Sequence, residues 1–427
     1  MRNCNKRIAM LLCGAVAVSC LVGFTGCKKE DGEIPIVSVA TAEEYYAAEG
    51  KHINLTQDIV LDTSHAYFKE SERDLSGLVL NGNGHTITIK GEEGSVGKTT
   101  GGLFTDIQDS TVKNLKIVYD INLKLSGTGS DYWFGGLAST VLNSTVENCQ
   151  VQMIRRSAIA FWVDGYGYGG NGIGGLIGVA ENSAIVNCTT VLDVIVTARY
   201  FGGLVGRAVN SSISYCNAAV NMSAHDLETA YFGGLVGAVE SSSKVYACKA
   251  EIQKFYIVGK PQGWRTKTAY VGLLAGWVGA SLHDCHGYFG ESKDGVILHY
   301  TTEEQNNGAF ITKIKSAYLV GQSSSAGKLK NLLFEAGYGV NHVPDTGVAL
   351  VDEFVSVREG TAENLWLVYQ AAEWVSNAVD ENGNPCEGYK GTFTLSHVEF
   401  PVTEIGEIDY WTYGEEGVPS LKPYSNG

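Results

Sequence analysis

Five cysteines, Cys149, Cys188, Cys216, Cys248 and Cys285, recur singly at intervals of 28 to 39 residues. Thiols can pair, bind metal or attack an electrophile, and each chemistry sets a geometric demand. A disulfide wants Cβ atoms ~3.8 Å apart. Zinc wants ligands converging on one point. The tetrapeptide "HDCH" (His283–His286) is a second candidate, with two imidazoles, a carboxylate and a thiol in four positions. On a regular strand His283 and Cys285 point away from Asp284 and His286, so the four do not meet on one ion. "GSVGK" (Gly94–Lys98) is too short for a phosphate loop. No metal and no cofactor are expected.

Aromatic residues cluster in three glycine-rich stretches. "SGTGSDYWF" (Ser126–Phe134) holds Tyr132 and Trp133. "RRSAIAFWVDGYGYGGNG" (Arg155–Gly172) holds Phe161, Trp162, Tyr166 and Tyr168, and "FYIVGKPQGWRTKTAY" (Phe255–Tyr270) holds Tyr256, Trp264 and Arg265. Rings beside amides and charged groups suit sugars, whose CH faces stack while their hydroxyls hydrogen-bond. Trp133, Trp162, Tyr166, Tyr168, Trp264 and Arg265 are therefore the expected ligand-binding set. The alternative is that these rings pack on one another to cover long loops. No catalytic residue is assigned: stacked acids at one offset from the cysteines would be needed, and Glu147, Asp193 and Asp226 fall at different offsets.

The elements that position these residues are repeats. "YFGGLVGRAVNSSISYCNAAV" (Tyr200–Val220) is followed by "YFGGLVGAVESSSKVYACKAEI" (Tyr231–Ile252). The Gly-Gly-Leu unit or a variant stands at Gly101–Leu103, Gly135–Leu137, Gly174–Leu176, Gly202–Leu204, Gly233–Leu235 and Val271–Leu273, with a worn copy at Ala317–Leu319. Thirteen or fourteen residues after its second position comes Leu115, Cys149, Cys188, Cys216, Cys248, Cys285 or Leu332. Three residues earlier the column reads Val112, Val146, Ile185, Ile213, Val245, Leu282 and Leu329. Two and four residues later it is again mostly apolar, the period of a strand with one buried face. The column at −3 breaks that parity, so the chain must bend before the cysteine. Asn114, Asn148, Asn187, Asp284 and Asn331 sit at the bend, where Asn and Asp tolerate left-handed angles. Tyr215 and Ala247 are the exceptions.

Strand, corner, strand and return describe one coil of an all-β, right-handed parallel β-helix of about eight to ten coils, each burying its apolar side against its neighbours. The cysteines then form an inward column. In-register neighbours lie ~4.8 Å apart, too far for a disulfide, so these are read as small buried packing groups.

The quoted units resemble the GLUG motif of bacterial surface proteins, including some IgA peptidases and adhesins, over about residues 101–336. That resemblance implies a stacking unit to which no catalytic residue is assigned. "LVLNGNGHTITIK" (Leu78–Lys90) resembles the first coils of pectate-lyase-like β-helices. "TAEEYYAAE" (Thr41–Glu49) has capping-box spacing and reads as a short helix. "AENLWLVYQAAEWVSNAV" (Ala362–Val379) is expected to be a covering helix. "IDYWTYGEEGVPSLKPY" (Ile408–Tyr424) resembles the final strand pair of GLUG-bearing chains. The domain plan is thus a signal peptide over 1–26, a polar linker over 27–40, the β-helix over 41–344 and a C-terminal cap over 345–427.

The N-terminus carries Arg2, Lys6 and Arg7, then an apolar run from Ile8 to Phe24 and "FTGC" ending at Cys27. This resembles a lipoprotein signal, in which Cys27 would be lipidated, with Cys20 or an uncleaved anchor as alternatives. "KKEDG" after it resembles the surface-export signals of Bacteroidetes lipoproteins. The implied partner is a membrane, through the lipid anchor, and the implied place is the bacterial cell envelope, with exposure on the outer membrane one option. With 31 basic and 46 acidic side chains, a net −15, nucleic acid is excluded as a partner. The functional expectation is a non-catalytic adhesin or glycan-binding protein that meets a polysaccharide or a host surface protein. A polysaccharide lyase or hydrolase is the first alternative, and a scaffold in a cell-surface assembly the second.

Overall fold

Ala138–Leu142, Thr145–Glu147 and Gln150–Trp162 are three successive strands, after which Gly172–Gly174 leads back to the next coil at Ile177–Glu181. Two left-handed corners separate them: Asn143 has φ 48° and Asn148 φ 56°. An L-residue pays a steric cost there that the short amide side chain of Asn reduces by bonding locally. The computed structural model describes residues 34–69, 73–91, 102–128, 132–162, 171–224, 230–259, 268–289, 296–302, 313–316, 319–336, 340–344, 355–369, 410–413 and 419–424.

Coils stack in parallel and in register. Val151 lies beside Thr190, then Ala218, Ala250, Gly287, Phe334 and Leu367 on successive coils. Among the described residues three parallel sheets result, of 21, nine and six strands. The nine-stranded sheet runs from Leu75–Ser76 to Val355–Arg358, and the largest sheet begins two levels earlier, with Ile36–Val39 and His52–Leu55. The fold is therefore a parallel β-helix. Alternation does the sorting: in Thr145–Glu147 only Val146 is buried, and in the next coil only Ile185 of Ala184–Val186.

The Gly-Gly-Leu unit is where the wall passes closest to itself. A methyl group at Gly203 would overlap the Gly234 carbonyl oxygen, and one at Gly202 would overlap that of Val205. The leucine that follows, such as Leu204, is fully buried. Some carbonyls at these glycines point inward and are met there: Tyr119 donates its hydroxyl to Gly136 O at 2.7 Å, and Thr190 to Gly203 O at 2.7 Å. Buried carbonyls need such partners.

The helix at the start is Ala42–Tyr46, and its capping box is formed by Thr41 and Glu44. Three expectations need correction. Strand pairing begins at Ile36–Val39, inside the span read as linker, because those residues pair in parallel with His52–Leu55. Coils continue to Tyr369, past residue 344. Thr361–Tyr369 is not helical: it pairs with Lys328–Ala336, placing Leu365 beside Leu332 and Leu367 beside Phe334. A growing sheet edge offers a full row of backbone partners, and that outweighs the helical spacing of the apolar residues. Residues 370–379 of the expected helix lie outside the described residues. No helix among the described residues is long and apolar enough to cross a membrane.

Candidate functional site

The five cysteines point inward, buried and unpaired by disulfides. Each donates its thiol to the carbonyl two residues back: Cys149 to Glu147 O at 3.3 Å, Cys216 to Ser214 O at 3.1 Å. The amides of Cys188 and Cys216 point at the sulfurs of Cys216 and Cys248, at 3.3 and 3.4 Å. Burial pushes the thiols of Cys149, Cys188, Cys216 and Cys248 well above the usual range. They are inert packing groups rather than nucleophiles.

A second column does the same with oxygen. Ser110, Ser144, Ser183, Ser211 and Ser243 follow the other left-handed corner, formed by Asp109, Asn143, Asn182, Asn210 and Ser241. Ser183 Oγ accepts from Ser144 N at 3.1 Å and donates to Glu181 O at 2.7 Å. Sequence reading missed this column, although Asn-Ser or Asp-Ser recurs at fixed distance before the cysteine position in four coils.

At the cysteine-side corner the amides chain from coil to coil: Asn148 Nδ2 donates to Asn114 Oδ1 at 2.8 Å and Asn187 Nδ2 to Asn148 Oδ1 at 2.7 Å. Tyr215 and Ala247 interrupt the chain yet keep φ at 56° and 52°. Their exception has a use. The expected C-terminal strand pair, Trp411–Tyr413 with Pro419–Leu421, is antiparallel and docks on this interruption. Tyr410 packs 5.9 Å from Tyr215 and 5.6 Å from Tyr246, while Trp411 is 2% exposed beside Ala247 and Leu333. Tyr424 reaches back to Glu147, 3.3 Å from its Oε1.

Between this docked segment and the serine-side corner runs a groove of about 710 Å³ across five coils. Its lining includes the small residues Thr145, Ala184 and Ser212, with Lys244 beyond them. The exposed corner residues Asn143, Asn182 and Asn210 line it as well, and so do Tyr246, His283 and Tyr410. Tyr246 and His283 are parallel, their ring centroids 5.3 Å apart.

The aromatic set expected from sequence falls elsewhere. Trp133 is a correction: it is 8% exposed and stacks on Tyr200, leaning over Gly172, which has no side chain to hold it off. The stack continues through Tyr231 to Tyr270, at 5.6 and 5.4 Å. In-register parallel strands place equal positions in one row, so these rings stack on each other, burying Trp133 and Tyr200 while Tyr231 and Tyr270 stay half-buried. Trp162 ends the long strand Gln150–Trp162, and Phe255–Gly259 belongs to another, so these stretches are partly strand rather than loop. Tyr166, Tyr168, Trp264 and Arg265 lie outside the described residues, as does Cys27.

The four "HDCH" side chains do not converge on one point, though not for the strand-parity reason: His283 Nδ1 lies 2.8 Å from Asp284 Oδ2, and the other two turn elsewhere. Asp284 is itself a left-handed corner at φ 51°. It accepts from Asn331 and Trp411, Cys285 turns inward, and His286 Nε2 lies 3.0 Å from Glu335 Oε2. His283 stacks on Tyr246.

Register, corners and repeated core columns together define a parallel β-helix assembled from stacked repeats. The GLUG motif family model matches residues 197–222, so the coil that opens "YFGGLVGRAVNSSISYC" is a GLUG repeat and this is a GLUG-containing β-helix protein. Among solved structures the chain is similar to one named IgA1 Protease, at 16% identity and a TM-score of 0.44 over 70% of this chain. It spans 20% of that protein's length. No curated protein sequence matches it.

Proposed function

We propose that the protein is an exported lipoprotein, anchored through Cys27 to the bacterial cell envelope, whose β-helix binds polysaccharide at the surface without cleaving it. The groove beside the C-terminal strand pair carries this reading: amides repeat along it coil by coil, with half-buried rings at its far end. A pocket with spaced polar groups and a few aromatic faces is what a sugar chain recognises. The rigid stack of coils holds those groups at a constant repeat without ligand-induced ordering. Such a protein would serve as an adhesin.

A polysaccharide array probed with the full exported chain tests the binding. Retention of one or more polysaccharides without release of reducing or unsaturated sugars is the expected result. Sugar release would make it a lyase or hydrolase, and silence on every polysaccharide would favour a scaffold. Metabolic labelling with a fatty acid tests the anchor: label should be lost in Cys27→Ala.

A further inference from the structure

The ligand class can be narrowed from the groove's own repeat, given the glycan reading above. We propose that the groove takes an extended, uncharged, β-1,4-linked glycan lying along the helix axis, one pyranose per coil.

Repeat distance is the first ground. Asn143, Asn182 and Asn210 occupy equivalent corners of neighbouring coils, because Leu142 pairs with Glu181 and Glu181 with Val209. Equivalent groups are therefore one strand spacing apart, ~4.8 Å. An extended chain of equatorially linked pyranoses advances by a similar step per sugar, so each coil's amide meets one sugar, with alternate sugars turning opposite edges toward the row. An α-1,4-linked chain coils and loses this match after a sugar or two.

Width is the second. Thr145, Ala184 and Ser212 project outward on the short strands, since Val146, Ile185 and Ile213 next to them are the inward, buried residues. Small side chains in that row leave a channel with the docked C-terminal segment as one wall, where Tyr410 lies against Tyr246 and His283. A thin, unbranched chain fits such a channel.

Charge is the third. Among the described residues Lys244 is the one charged side chain lining the groove apart from the titratable His283, and the chain as a whole carries −15. A polyuronate with a carboxylate on every sugar would find amides and hydroxyls on three coils and a repelling field around them. Neutral sugars ask only for hydrogen bonds.

The test is calorimetric titration of the full exported chain with cellohexaose, xylohexaose, mannohexaose, maltohexaose and hexagalacturonate. It is repeated on Ala184→Arg, which fills the channel from an outward strand position, with a thermal melt to show that the variant folds. Ser212→Lys is the second blocking variant should Ala184→Arg not fold. At least one β-1,4-linked neutral hexasaccharide should bind, and its affinity should fall by about tenfold or more in the blocked variant. Preference for maltohexaose or hexagalacturonate, lost on blocking, would overturn the ligand class and leave the glycan reading intact. Binding indifferent to both blocking variants would remove the groove as the site. If none of these sugars nor any polysaccharide of the array binds, the glycan reading itself fails.

Discussion

The indole Nε1 of Trp411 donates to Oδ1 of Asp284 at 3.0 Å, tying the C-terminal strand pair to a corner of the coil stack across 127 residues of chain. The same carboxylate oxygen accepts from Asn331 Nδ2, also at 3.0 Å. Asp284 thus ends one amide chain and seats the segment that walls the groove. Trp411→Phe keeps a ring in place and removes the donor. A hydrogen bond to a charged group contributes about 1.5–3 kcal/mol, and here its loss falls on docking. Hydrogen exchange should show faster exchange across Trp411–Tyr413 and Pro419–Leu421, with the coils unchanged. Unchanged protection in the pair would show that Asp284 does not hold it.

The inward cysteines make a chemical prediction. Burial raises the thiols of Cys149, Cys188, Cys216 and Cys248, and desolvation leaves little thiolate at neutral pH. Alkylation of the folded protein followed by peptide mapping should leave these four and Cys285 unmodified until denaturant is added. Rapid labelling of any of them in the native state would contradict the inward column.

Ser183 carries a load that its size conceals. Its hydroxyl takes the Ser144 amide at 3.1 Å and satisfies the Glu181 carbonyl at 2.7 Å. Ser183→Ala should cost about 1–3 kcal/mol in denaturant unfolding, because the buried Ser144 amide loses its acceptor, while the Glu181 carbonyl keeps only the Asn143 amide. Ser183→Cys should cost less, since the thiols of Cys216 and Cys248 after the neighbouring corner make the same pair of contacts. Equal losses for the two variants would refute the equivalence of the columns.

Acid should weaken the protein in two stages. His286 is 5% exposed; burial lowers its pKa, and Glu335, 3.0 Å away, opposes that shift. Lys249 lowers it further while Glu251 raises it. A group with a lowered folded pKa gives full stability above its ordinary value, 6.5 for this imidazole, and loses it as pH falls below. Glu335, lowered chiefly by its hydrogen bond with His286, adds a loss of the same sign below its ordinary 4.5. The unfolding midpoint should therefore drop between pH 7 and 5, and His286→Gln should flatten that first decline. A wild-type midpoint that stays level over this interval would exclude the effect.

Much of this architecture could be read from residues alone. The cysteine column, the Asn corners and the Gly-Gly-Leu return recur at near-constant spacing, and a repeat that cannot bury its own apolar face must stack. The groove could not be read in the same way. It depends on Tyr410 and Trp411 folding back onto Tyr215 and Ala247, two positions that looked like defects in the corner pattern. Sequence spacing carries no signal for a contact between residues so far apart. Trp133 misled for a related reason: a ring among glycines suggests an exposed platform, but register placed it in a row with Tyr200. The strand at Thr361–Tyr369 took its conformation from the sheet edge beneath it, a tertiary cause that outweighs local period.

A structure of the protein with a bound β-1,4-linked neutral hexasaccharide tests the central claim most directly. Sugar should lie along Thr145, Ala184 and Ser212, advancing one ring per coil with hydroxyls at Asn143, Asn182 and Asn210. Sugar bound elsewhere, or crossing the coils rather than following the axis, would contradict it.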